Sequence, residues 1–157
     1  MTVFGVTGHQ QIPPEAAANI ASGIEDVLRS HRGGLVGVCS LAAGADQLFA
    51  RAVLDMGGAL HVIVPCERYD ETFTDSDLAR FRELIGGAEL VETLGHPEPT
   101  EEAFLDAGHR VADVCEILVA VWDGEPARGL GGTADVVDYA KSVGLDVVII
   151  WPPGVAR

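Results

Sequence analysis

Residues 2–10 read TVFGVTGHQ, an apolar and partly β-branched run from Val3 to Thr7 that breaks at Gly8 into a polar turn. A short run of this composition, closed by glycine, reads as a buried strand. The next segment decides the class. Pro13 and Pro14 stand where a helix can open, and Ile20, Ile24, Val27 and Leu28 recur at helical spacing until Gly33 and Gly34. A second apolar run, Leu35 to Cys39, begins at once. Strand, helix and strand in that order predict two parallel strands joined by a crossover helix.

The same alternation continues along the chain. Further apolar runs lie at Leu60 to Val64, Leu90 to Leu94, Ile117 to Trp122 and Val147 to Trp151. From Asp46 to about Met56, Leu48, Phe49, Ala52, Val53 and Met56 share a helical face that stops at Gly57 and Gly58. Thr74 with Asp77 resembles a capping box ahead of Leu78, Phe81, Leu84 and Ile85. Thr100 is placed to cap a fourth helix, with Glu101 and Glu102 in its first turn. Thr133 is placed to cap a fifth, which bears Val136, Val137, Ala140 and Val143. The run at Leu90 carries Glu92 at its centre and alternates, which suits an edge strand or a short excursion. The expectation is an α/β Rossmann-like three-layer sandwich with a mostly parallel sheet of five to six strands, as one domain over residues 1–157.

Composition narrows the function. A chain of 157 residues with 48% apolar content can bury a core without metal or disulfide staples. Its apolar runs are far too short to cross a bilayer, and no basic region precedes the first of them. These features lead us to expect a cytoplasmic protein with no membrane partner. The three cysteines (Cys39, Cys66, Cys115) form no CxxC pair and sit in or beside apolar runs, as buried thiols do. The five histidines are scattered, so neither a metal nor another cofactor is expected. Ten basic residues against 24 acidic ones leave a net charge of −14, which repels nucleic-acid backbones and argues against nucleic acid as a partner. A small phosphorylated ligand remains compatible, because backbone N–H groups and helix starts hold anions locally.

Open parallel sheets bind ligands beyond the carboxyl ends of their strands. Past the first strand, Gly8 can leave room for a phosphate or simply make a tight turn, and His9 supplies a donor. Past the second, Gly44, Ala45 and Asp46 lead directly into a helix, where Asp46 can cap or contact a ligand. Past the third, Arg68 can reach a phosphate and Tyr69 can stack on a base, with a plain surface loop as the alternative. Past the fifth come Trp122, Asp123 and Gly124, then Arg128, Gly129, Leu130, Gly131, Gly132 and Thr133. The glycines suit a phosphate-facing loop, Thr133 can cap the helix or bond a phosphate oxygen, and Trp122 can wall a base pocket or lie buried at the strand end.

At these residues the sequence resembles the SLOG superfamily, which groups the DNA-processing protein Smf/DprA with the lonely-guy cytokinin-activating enzymes. The carriers are GVTGH at 5–9, AAGAD at 42–46, VP at 64–65, AVWDG at 120–124 and RGLGGTAD at 128–135, in the expected order over almost the whole chain. The resemblance implies a Rossmann-like fold that binds nucleotides or their derivatives, with phosphate on Gly131, Gly132 and Thr133. Gly8 and Gly44 would then give clearance, Asp135 or Asp46 would bond ribose hydroxyls, and Arg128 or Arg110 would balance the phosphate charge. By the same analogy a homo-oligomer is expected.

The enzymes of the group are phosphoribohydrolases with the pattern PGGxGTxxE. Aligned on Gly132 and Thr133, this chain has Val136 where the catalytic Glu stands, Leu130 at a glycine and Arg128 at the proline. Asp135 is one residue early, about 100° around the helix. A binding protein or sensor for a nucleotide-like small molecule is therefore the first reading. A nucleotide N-glycosidase using Asp135 and Arg110 as catalytic residues is the second, and a non-catalytic structural or interaction domain is the third.

Overall fold

The computed structural model describes residues 1–126 and 132–155. Its strands are β1 (Thr2–Gly8), β2 (Leu35–Cys39), β3 (Ala59–Cys66), β4 (Leu90–His96), β5 (Ile117–Val121) and β6 (Asp146–Ile150). They form one sheet in the order β4-β3-β2-β1-β5-β6, and every pairing is parallel. Helices α1 (Pro14–Leu28), α2 (Ala45–Asp55), α3 (Asp75–Gly86), α4 (Glu101–Val114) and α5 (Thr133–Ser142) make the crossovers. The chain steps outward from β1 to β4, then returns to the other side of β1 for β5 and β6. Right-handed crossovers then put α1 to α3 on one face and α4 with α5 on the other.

The core divides accordingly. Phe4 and Val6 of β1 pack with Ile20, Ile24, Phe49 and Val53, whereas Val36, Val38 and Ile63 pack with Val111, Ala112, Val136 and Ala140. All five residues of β2 are buried, as a central strand covered on both faces requires. β4 lies at the sheet edge, where its outward residues and Glu92 meet water. This is the three-layer Rossmann-like sandwich read from the sequence, with all six strands parallel. The three cysteines are free and buried. Among the described residues no helix is long and apolar enough to cross a membrane.

Local details depart from expectation in instructive ways. β3 runs past Val64 through Pro65 to Cys66, and its register with β4 shifts between Val64 and Cys66, where a residue without an N–H is tolerated. A short 3-10 turn, Tyr69–Thr72, comes next. Thr74 does precede α3, but its hydroxyl makes no cap bond, and the Asp77 carboxylate goes to Arg80 at 2.5 Å. The capping box is therefore absent. Thr100 does cap α4, its hydroxyl oxygen accepting from the Ala103 N–H at 3.1 Å. In α5 the cap position is Gly132, and Thr133 is already the first helical residue.

Candidate functional site

The strand order reverses between β1 and β5, so the carboxyl end of β1 marks the switch point of the sheet. There the His9 N–H donates to the Val121 carbonyl at 3.1 Å. A β-carbon on Gly8 would collide with Ala45 and Val121, so close packing of α2 on the sheet already demands glycine. His9 is buried, with Nε2 lying 3.2 Å from both the backbone nitrogen and Oδ1 of Asp123. Its ring meets Trp151 edge-on at 5.3 Å. The Trp122 indole N–H donates to the Glu125 carbonyl at 2.8 Å. The structure thus joins His9 to Asp123 across β1 and β5.

At the end of β2 the backbone turns sharply. Gly44 has φ +80° and ψ −120°, and the Ala45 N–H donates to the His9 carbonyl at 3.1 Å. Asp46 stands in the first turn of α2 and is only 7% exposed. It does not cap α2. Its carboxylate reaches back to accept from the Ser40 N–H at 2.9 Å, with the Ala42 N–H as a further backbone partner. Burial pushes the Asp46 carboxyl up to about 6, against the opposing effect of those two amides.

Asp46 opens onto a recess of about 90 Å³ at the carboxyl ends of β1, β2 and β3. Thr7, Ser40 and Tyr69 line it with Asp46, and Gly108 of α4 and Val136 of α5 roof it. Odd-numbered residues of β1 face α4: a β-carbon at Gly5 would meet Val111 and Cys115. Thr7 shares that face. A wider compartment of about 330 Å³ adjoins the recess, sharing Ala42, Tyr69 and Phe104 and walled further by Phe73, Pro99 and Thr74. Polar and apolar groups share the walls of both spaces, and convergent polar groups of this kind can fix a ligand's orientation.

The candidates named from sequence divide around this recess. Gly8 and Asp46 line it, while His9, Asp123, Trp122, Asp135 and Thr133 do not. Gly44 and Ala45 shape the turn beneath it, and Gly132 and Thr133 begin the helix that carries Val136. Arg128 and Gly131 lie outside the described residues. Val136 faces the recess and is buried, so the position expected for a glutamate holds a valine. Tyr69 is not a surface stacking residue: its ring is buried edge-on against Phe73 and Phe81. Arg68 is exposed and donates to Glu98 at 3.2 Å.

Arg110 is likewise committed elsewhere. Its guanidinium donates twice to the Glu92 carboxylate, at 2.8 and 3.0 Å, on the exposed side of α4 and β4. That bidentate contact holds the Glu92 carboxyl below its ordinary value. An exposed pair contributes on the order of 0.5 kcal/mol. Arg110→Ala is therefore expected to change stability by less than about 1 kcal/mol in urea titration and to leave ligand binding unaltered. A loss of binding in that variant would return Arg110 to the site.

Ser40, Phe104 and Gly108 escaped the sequence reading. Ser40 directly follows β2 and was findable by the strand-end rule, whereas Phe104 and Gly108 arrive from α4 only through the return crossover.

No family model matches the chain, and no curated protein matches it. Solved structures do. DNA processing protein A (DprA) from Streptococcus pneumoniae matches 98% of this chain at TM-score 0.70 and 20% identity, and the chain spans about half (51%) of that protein. DprA from Helicobacter pylori matches 98% of this chain and 67% of its own, at TM-score 0.70 and 13% identity. TM1055, a structural genomics target, matches 94% of this chain and 72% of its own, at TM-score 0.60 and 16% identity.

These matches overturn the exclusion of nucleic acid. The Helicobacter pylori protein shares this fold and binds single-stranded DNA. A net charge of −14 is a sum over the surface, whereas strand binding depends on local phosphate contacts and stacking platforms. The chain has the Rossmann-like fold of the DprA proteins and TM1055, the fold that its resemblance to the SLOG superfamily implied.

Proposed function

We propose that the chain binds a nucleotide or nucleotide-derived ligand at the carboxyl ends of β1, β2 and β3. The observation that carries this reading is the recess beside the switch point, lined by α4 and the first turn of α5 and adjoined by a compartment of about 330 Å³ that shares Ala42, Tyr69 and Phe104 with it. The larger space has Phe73 and Phe104 for a planar base and Thr72, Thr74 and Asp77 for its polar edge. A phosphate fits best at the start of α5, where the first amides have no carbonyl four residues back within the helix.

Binding without cleavage is the preferred form of this reading. Glycosidic hydrolysis needs a carboxyl group at the scissile bond; α5 brings Val136 to the recess, and the Asp46 carboxylate there is turned back onto the Ser40 and Ala42 N–H groups.

Thermal unfolding in the presence of ribonucleoside and deoxyribonucleoside 5′-monophosphates is the test. A ligand at a hundred times its Kd adds about 2.7 kcal/mol of stability, and a clear rise in Tm is expected for at least one of them. Chromatography of the same mixtures is expected to find no free base. Silence towards every nucleotide at millimolar concentration would refute the proposal. A rise with a single-stranded oligonucleotide alone would replace the small molecule by a polymer.

A further inference from the structure

Buried hydroxyl groups almost always have a hydrogen-bond partner, so one without a partner calls for an explanation. Tyr69 is 5% exposed, and its ring is fixed by Phe73, Phe81 and Phe104. Among the described residues its hydroxyl has no hydrogen-bond partner, although its backbone carbonyl accepts from Thr72. Burial, followed by the charge of Asp46, pushes the pKa of that hydroxyl well up, which places Asp46 within electrostatic reach of it. Thr7 and Ser40 also line the recess, and neither hydroxyl has a hydrogen-bond partner among the described residues.

Charge decides what such a recess accepts. Neither lysine nor arginine lines it among the described residues, and Asp46 contributes a carboxylate. A phosphate there would meet that negative charge with no cation among the described residues to offset it. A space of about 90 Å³ is also too small for a whole nucleotide, though it takes a few hydroxyl-sized groups. Neutral hydroxyls suit it on every count. A carboxylate accepts from O–H groups, and neighbouring side-chain hydroxyls both donate and accept.

We infer that the recess is a vicinal-diol site in which Asp46, Tyr69, Thr7 and Ser40 hold the two adjacent ring hydroxyls of a ribose, so that the protein selects ribonucleotides over deoxyribonucleotides. The inference rests on the nucleotide reading and deepens it. The 2′-hydroxyl is the group that distinguishes the two ligand classes, and it would be read here by side chains rather than by the loop before α5.

Calorimetric titration with adenosine, guanosine and cytidine 5′-monophosphates, each beside its 2′-deoxy counterpart, tests it. The deoxy compound is expected to bind about tenfold more weakly, the scale of one lost hydrogen bond to a charged or buried partner. Tyr69→Phe is expected to weaken the ribonucleotide about tenfold and to shrink the ribo-to-deoxy ratio. The same variant without ligand should melt no lower than the wild type, because no internal hydrogen bond is lost; a hydroxyl serving the fold would lower the melting point. Should Tyr69→Phe fail to fold, Ser40→Ala is expected to reduce the same ratio. Equal affinity for ribo and deoxy ligands overturns the diol site and leaves nucleotide binding standing. Binding of neither overturns both.

Discussion

Replacing Gly44 with alanine is expected to lower the unfolding free energy by about 3 kcal/mol or more, among the larger effects of a single substitution. Two costs add at this position. With φ +80° and ψ −120°, Gly44 occupies backbone space that L-residues avoid. A β-carbon there would also lie 2.5 Å from the carbonyl oxygens of both His9 and Gln10. Both oxygens belong to the backbone and cannot swing aside as the end of a flexible side chain would, and the His9 carbonyl is held by the Ala45 N–H. Gly57 supplies the control. It has φ +76°, and a β-carbon there would meet nothing within 4 Å, so Gly57→Ala should cost only the left-handed strain, about 1 kcal/mol. Urea titration of both variants separates strain from collision. Equal costs would mean that the loops after β1 and β2 do not approach as closely as described.

The strands and helices were legible because each carries its own period. Val3 to Thr7 and Leu35 to Cys39 read as covered strands, and Ile20, Ile24 and Leu28 mark a helix face that is buried as expected. Helical periodicity also separated Val136 from Asp135: Val136 faces the recess, and Asp135 is not among its lining residues.

The site was less legible, because its residues are set by tertiary contacts. Gly8 read as clearance for a phosphate or as a tight turn, and Ala45 and Val121 already require it to lack a side chain. Tyr69 read as a surface aromatic, since nothing local announces that Phe81 and Phe104 will enclose it. Asp46 read as a helix cap or a ligand contact, and only the fold of the preceding loop turns its carboxylate back to Ser40. Net charge misled on nucleic acid for a related reason, being a property of composition rather than of any one surface.

Asp46 gives the second large effect, and its sign is opposite to that of an ordinary surface carboxylate. Its ordinary value of 3.8 is raised to about 6 in the folded protein, chiefly by burial. The folded state therefore holds the proton more tightly than the unfolded chain. The associated stability is fully present below 3.8 and is lost as the pH rises through about 6. At 1.36 kcal/mol per unit the full change is about 3 kcal/mol. Asp46→Asn cannot ionise, so the variant should gain about that much on the wild type between acid and neutral pH. The amide has one carbonyl for the two backbone N–H groups that the carboxylate serves, a cost that does not vary with pH. Ionised Asp46 also raises the pKa of Cys39 and Tyr69, whose own dominant cause is burial, so both neighbours stay neutral throughout this window. Since the protein's isoelectric point of about 4.5 falls inside the window, solubility favours comparing pH 5 with pH 7.5, which captures about half of the change. Urea titrations of wild type and Asp46→Asn at those two values give the result directly. A stability difference that stays the same at both would show that the Asp46 carboxyl is solvated rather than buried.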